Sequence, residues 1–207
     1  MSEWQGIHLP RVLEASDGRA AWGRPKHGDV GLLLRETSLA ALVAHVGREY
    51  AVAVDIDSVE GLADDRAGCE FLVVKLGFQI VLAHRPATAA TIAELGALAL
   101  LRVFAADSTG LRRSLESHPP GEGVGSAVSP GLVLPHLGAD ELALLPRPIL
   151  AYGLIDRPVD IAACLRCSDA IVLSRGALAG ARTEAALAEL TREAHQTQSR
   201  PADSPTE

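Results

Sequence analysis

Eight short apolar runs, separated by stretches with helical patterning, narrow the choice of fold more than anything else in this chain. They are Ile7–Val12, Val30–Leu34, Ala51–Asp57, Gln79–Ala83, Leu98–Arg102, Ser126–Ser129, Ile149–Tyr152 and Ala170–Leu173, starting roughly 20 to 29 residues apart. Each is short and rich in Val, Ile, Leu and Ala, as strands are. Helical patterns lie between most of them. Ser38–Arg48 is one, with Thr37 or Ser38 as its cap, and Arg66–Leu76 and Ala87–Leu95 are others. Asp107-Ser108-Thr109 offers caps for Gly110–Ser117, and Asp156 or Arg157-Pro158 opens Val159–Arg166. The caps follow from side-chain acceptors for the first backbone N–H groups, and Pro158 falls in a first turn where its missing N–H does no harm. Strand-then-helix repeated this often builds βαβ units and a parallel sheet. Eight units predict a small (β/α)8 barrel of the α/β class, with a doubly wound open sheet as the alternative. The runs carry few charges, as expected when both faces of a parallel sheet are covered.

Of the 207 residues, 48% are hydrophobic, enough for one substantial core. Aromatic residues make up only 3%, so that core must be aliphatic. The expected organisation is one barrel domain over residues 1–193 and a polar tail over 194–207, HQTQSRPADSPTE at its heart, without fixed tertiary contacts. His118–Gly125, HPPGEGVG, reads as a Pro/Gly loop where one helical unit is shortened. The net charge of −7 disfavours a general nucleic-acid or membrane-surface binder but leaves room for a local basic patch. No apolar run is long enough to span a bilayer, and MSEWQGIHLPR lacks the cationic and apolar regions of a signal peptide. Three cysteines make no disulfide framework and fit a reducing cytoplasm. Cys164 and Cys167 form a lone CxxC, which suits packing on a helix face better than a metal site that would need further ligands. No cofactor motif is visible.

In a barrel of this kind the chemistry sits at the carboxyl ends of the strands. The segment DIDSVEGLADDR, Asp55 to Arg66, crowds carboxylates at one such end. Asp55 and Asp57, His84 and Arg85, Arg102 and Asp107, Pro130-Gly131, Tyr152-Gly153 and Ser174-Arg175-Gly176 stand at the strand ends. Acidic and basic groups facing one pocket suit a small ligand with hydroxyls and an anionic group. The loops after the last two strands are where barrels often hold phosphate on backbone N–H groups. The expected ligand-binding residues are therefore Asp57, Arg85 and Arg102 on one side, and Gly153, Leu154, Ser174 and Arg175 at the phosphate. Each has a plainer reading. A glycine after a strand is usually a turn. Arg102 could pair with Asp57 or Asp107 as a rim residue, Glu70 could pair with an arginine of the wall, and Asp64-Asp65-Arg66 could simply start a helix. Arg112-Arg113 reads most simply as an exposed helix face. No nucleophile–base–orienter set is visible, which argues against an enzyme; Asp55, Asp57 and His84 are the only acid–base candidates.

The segments VDIDSVEGLADDRAGCEFL, HRPATAATIAELGALALLRVFAADSTGLRRSLE, SPGLVLP, ILAYGLI and AIVLSRGAL resemble, in order and spacing, the glycerol-3-phosphate-responsive antiterminator family. The shared positions are Asp57, Gly61, Asp65, Glu70, Phe71, Arg85, Arg102, Phe104, Asp107, Ser108, Pro130, Gly131, Gly153, Ile155 and Ser174. The chain departs from the family pattern at Asp55 (His in the pattern), His84 and Pro86 (Thr and Ser, flanking the shared Arg85), Leu101 (Gln), Ala127 (Glu), Tyr152 (Gly) and Arg175 (Asn). The resemblance implies a (β/α)8 regulatory protein that senses glycerol 3-phosphate, needs no cofactor, and acts on leader mRNA to prevent transcription termination of glycerol genes. An acidic chain makes a poor RNA platform by itself, so a homo-oligomer that assembles a basic surface stays open. The rival readings are a small phosphate-binding barrel enzyme acting on a triose- or sugar-phosphate-like compound, and a degenerate barrel serving as a protein partner.

Overall fold

The computed structural model describes residues 2–4, 6–16, 30–105, 107–116, 118 and 123–178. The predicted tail 194–207 and residues 119–122 of the Pro/Gly loop lie outside the described residues.

The first apolar run does not form the single strand expected over Ile7–Val12. Pro10 has no N–H to give to a ladder, and the run divides there. Ser2–Trp4 (β1) and Ile7–Leu9 (β2) pair as an antiparallel hairpin, and the first barrel strand, β3, is Val12–Ser16. The rest follow in order: β4 Val30–Leu34, β5 Thr37–Ser38, α1 Leu39–Val43, β6 Val52–Asp55, β7 Val59–Glu60, α2 Arg66–Glu70, β8 Ile80–Ala83, α3 Pro86–Glu94, β9 Leu98–Phe104, α4 Ser108–Glu116, β10 Val124–Ser129, α5 Ala139–Ala143, β11 Ile149–Tyr152, α6 Pro158–Cys167, β12 Ala170–Leu173 and α7 Arg175–Leu178. The two-residue strands β5 and β7 pair only with each other. The other eight after the hairpin close into one barrel in the order β10-β11-β12-β3-β4-β6-β8-β9, parallel throughout. The closed barrel is the predicted fold, and the open sheet is excluded.

Helix ends follow local chemistry. The Ser38 hydroxyl accepts from the Ala41 N–H and the Asp65 carboxylate from the Gly68 N–H, so both act as N-caps. α1 is shorter than the expected Ser38–Arg48 because the chain turns after Val43. The expected Arg66–Leu76 helix is α-helical to Glu70 and then widens into a π-helical segment, Phe71–Lys75. Pro86 and Pro158 open α3 and α6.

Three apolar clusters hold the barrel. Leu13, Leu33, Ala53, Leu82, Leu100, Ala127, Leu150 and Val172 fill its interior, with Ile7 and Leu9 of the hairpin closing the end where the strands begin. The other two lie between the strands and their helices, one around Val54, Val81 and Ile92, the other around Val128, Ile149 and Ile161. No aromatic side chain is needed in the interior cluster's buried set, as the composition required. At the opposite end, where the strands finish, the interior gives way to polar groups.

Candidate functional site

Side chains alternate across a strand, so interior positions recur every second residue. Two residues beyond the interior side chains Leu33, Ala53, Leu100, Ala127, Leu150 and Val172 stand Arg35, Asp55, Arg102, Ser129, Tyr152 and Ser174. The apolar stride turns polar at the carboxyl end of six strands, and this turn makes the floor of the mouth.

Asp55 and Arg102 are the centre of that floor. The Asp55 side chain is 2% exposed and that of Arg102 is 29% exposed. Arg102 Nη2 donates to Asp55 Oδ2 in a close ion pair. The second carboxylate oxygen, Asp55 Oδ1, and Arg102 Nε are buried without a hydrogen-bond partner. Burial pushes the Asp55 carboxyl above the usual carboxylate range; Arg102 pulls it back, Asp57 adds to the rise, and Arg35 and the nearby Ser58 hydroxyl, which itself donates to the Asp55 backbone carbonyl at 3.0 Å, oppose it. Across the barrel, burial raises the Tyr152 phenol, while Arg102 and a hydrogen bond with Ser129 lower it. Arg35 lowers both groups, and its guanidinium lies 3.5 Å from the carboxylate of its neighbour Glu36. Two arginines therefore act on one buried carboxylate in a chain of net charge −7.

The residues expected to bind from the rim are placed differently from one another. Asp57 sits in the 3-10 turn Ile56–Ser58 and its Oδ2 accepts the His84 backbone N–H at 2.7 Å, tying the end of β6 to the end of β8. Arg85 is turned outward by the same alternation, and its Nε is 3.2 Å from Asp64. The structure thus brings Arg102 to Asp55 rather than to Asp57 or Asp107, and Arg85 to Asp64. Gly153 and Leu154 follow β11 with φ of +82° and +61°, and Leu154 is exposed. The Ser174 hydroxyl donates to Asp156 Oδ1 at 3.3 Å and accepts the Ala177 N–H at 3.3 Å, capping α7. Arg175 is the first residue of α7. Glu70 pairs with Arg66 on the surface, not with the barrel wall.

Sequence reasoning missed Arg35 and Ser129 and gave Asp55 only an acid–base role. The signal was available, because each stands two residues past an apolar residue in L-x-R, A-x-S and A-x-D. The other singled-out groups lie elsewhere. Cys164 is buried, donates weakly to the Gly131 carbonyl at 3.5 Å, and has its thiol pushed up to about 11 by burial. Among the described residues no group of three or more His, Cys, Asp or Glu is placed to hold a metal ion. His45 pairs with the Tyr50 hydroxyl at 3.2 Å beside a cleft at the opposite end of the barrel, which the His8, Arg48 and Gln79 side chains also line.

A charged floor inside a closed β/α barrel restricts the family, and comparison decides it. The glycerol-3-phosphate responsive antiterminator family matches residues 33–178. This chain belongs to that family. The antiterminator family is regulatory, and the protein is a regulator rather than an enzyme. Solved structures share the fold. The glycerol uptake operon antiterminator regulatory protein of Listeria monocytogenes is 18% identical, with 81% of this chain and 95% of that one covered and a TM-score of 0.63. A glycerol uptake operon antiterminator-related protein of Thermotoga maritima is 23% identical, with 82% and 97% covered and a TM-score of 0.65. The native KDPGal structure is 16% identical over 94% and 100%, with a TM-score of 0.58. No curated protein matches. Within this antiterminator three of the departures from the family pattern, Asp55, Ala127 and Tyr152, lie in or at the barrel interior, whereas His84, Pro86, Leu101 and Arg175 lie outside it. Ala127 is fully buried in the interior cluster, and Tyr152 packs against that cluster from the mouth. The carboxylate that the pattern has on β10 is gone, and Asp55 supplies one from β6.

Proposed function

We propose that this protein senses glycerol 3-phosphate at the barrel mouth and, as a transcription antiterminator of glycerol-utilisation genes, acts on leader mRNA in the cytoplasm. The observation that carries the reading is the buried Asp55–Arg102 pair with Arg35 beside it at the carboxyl end of a closed barrel. A charged floor in this place suits a ligand that has both an anion and hydroxyls. The backbone N–H groups at Gly153–Leu154 and Ser174–Arg175 are the proposed phosphate cradle, with the exposed Ser174 hydroxyl joining it by turning its proton from Asp156 to the anion, since turn backbone of this kind can direct N–H groups at an anion. Arg102 faces the remainder of the ligand, Asp57 holds the β8 loop in place through the His84 N–H, and Arg85, turned outward to Asp64, supports the rim from outside. Among the described residues no helix is long and apolar enough to cross a membrane. The RNA half of the reading rests on the family and on Arg112 and Arg113, which stand exposed on α4.

The test is thermal unfolding with glycerol 3-phosphate, inorganic phosphate and unphosphorylated glycerol. A ligand at about 100 times its dissociation constant stabilises by roughly 2.7 kcal/mol. Glycerol 3-phosphate is expected to raise the midpoint and glycerol to leave it unchanged. No shift with any phosphate ester refutes the sensor reading. RNA contact through α4 predicts affinity that falls with salt and falls further when Arg112 and Arg113 are both replaced by Ala.

A further inference from the structure

We infer that Asp55, with Arg102 Nε, recognises a hydroxyl group of the ligand, and so sets a preference for a hydroxylated phosphate ester over its deoxy counterpart. This rests on the phosphate-ester reading above and names the part of the ligand that the floor meets. Three observations carry it. Asp55 Oδ1 can only accept and Arg102 Nε can only donate, and both are buried with no partner. An unpartnered buried polar atom is destabilising, and two on one ion pair are unusual in a floor otherwise so well packed. A hydroxyl is the neutral group that satisfies both kinds of atom, giving its proton to a carboxylate oxygen and taking one from a guanidinium nitrogen. Each orphaned atom is one carbon removed from the Asp55–Arg102 contact, so a single small polyol end reaches both.

The alternatives within the mouth are already engaged. The Asp57 carboxylate accepts the His84 N–H, and Arg85 pairs with Asp64. The Ser174 hydroxyl is divided between Asp156 and Ala177 N–H, and the Tyr152 phenol has Ser129. Among the described residues of the floor, Asp55 Oδ1 and Arg102 Nε are the buried acceptor and donor without a hydrogen-bond partner. Arg102 keeps its head partly exposed above Asp55, so the pair is reached from the mouth by a tilt of a flexible side chain.

The experiment is calorimetric titration of the full chain with glycerol 3-phosphate and with propyl phosphate, which keeps the phosphate and the three-carbon chain and lacks both hydroxyls. A site built to hydrogen-bond a hydroxyl rejects the analogue without it strongly. Wild type is expected to prefer glycerol 3-phosphate by at least about 30-fold, and Asp55→Asn, whose amide can be held with its N–H₂ toward the ligand, to lose most of that preference while propyl phosphate binds as before. A double variant, Asp55→Leu with Arg102→Met, removes both charges together and protects the outcome against misfolding; it is expected to bind the two esters equally. Equal binding of the two esters by wild type, or an undiminished preference in both variants, overturns the inference and leaves the phosphate reading intact. If wild type binds neither ester, the phosphate reading itself fails and this inference with it.

Discussion

Removing Arg102 should hurt the folded state far more than removing its partner, and the reason is the difference in burial. The Asp55 side chain is 2% exposed and cannot reach water without opening the barrel, whereas Arg102, at 29%, can turn its guanidinium out. Arg102→Ala therefore strands a buried carboxylate, a loss of about 3 kcal/mol at neutral pH from the range seen for broken buried pairs. Asp55→Asn leaves a neutral amide under an arginine that can rehydrate, a loss of about 1 kcal/mol. With a urea slope of about 2 kcal/mol per molar, the midpoints fall by about 1.5 M and 0.5 M. The pH dependence has a definite sign. The folded carboxyl of Asp55 lies above its ordinary value because of burial, and losing Arg102 removes the main force that lowers it. A raised acid favours the folded state below its unfolded value near 3.9 and loses that contribution as pH rises through the folded value. The Arg102→Ala deficit relative to wild type should thus be full at pH 7.5 and shrink at pH 4.5, where the stranded carboxyl takes a proton. Urea unfolding followed by circular dichroism at both pH values reads this directly. If Asp55→Asn proves the more damaging change, or if the Arg102→Ala deficit is the same at both pH values, the pair is not organised around a buried carboxylate.

In the binding assay Arg102→Ala should weaken glycerol 3-phosphate by at least about 10-fold, or 1.4 kcal/mol, measured calorimetrically at a temperature where the variant is folded. Ser174→Glu places a second acid beside Asp156, 3.3 Å from the present hydroxyl, and should abolish phosphate-ester binding; unchanged binding would put the anion elsewhere. Gly125→Ala should destabilise by about 1–3 kcal/mol, because its Cβ would lie 2.4 Å from the Pro148 carbonyl where β10 meets β11. Asp65→Ala removes the cap that holds the Gly68 N–H at 2.9 Å and should lower stability by about 1 kcal/mol in a urea titration. Burial pushes the Cys69 and Cys164 thiols up to about 11, so their native alkylation at pH 8 should be much slower than in guanidinium, by mass spectrometry; alkylation of native Cys164 at the denatured rate would refute its burial.

What could be read from residues alone was whatever repeats locally. The apolar runs named seven of the eight barrel strands and their order, missing Val12–Ser16, and Asp65, Ser38 and Pro158 marked helix starts because each satisfies, or has no need to satisfy, a backbone N–H within one turn. The family resemblance, too, is an order of short motifs. Even the composition of the mouth was written in the stride of two that leads from Leu33 to Arg35, Ala53 to Asp55 and Leu100 to Arg102. The partners were not. Arg102 meets Asp55 from 47 residues away because β8 lies between β6 and β9 in the closed barrel. Nothing in either segment distinguishes Asp55 from Asp57, two residues on, until the strand gives way to the 3-10 turn and carries Asp57 out of the alternation to the His84 N–H. The hairpin that replaces the start of the first run likewise depends on the barrel. A hairpin of three-residue strands is marginal in water by itself; Ile7 and Leu9 hold because the closed barrel offers them an apolar end to fill. Periodicity is a property of the chain, whereas which charge is buried beside which is decided by how the strands close, and in this protein that closure converts a row of polar strand ends into a single charged floor.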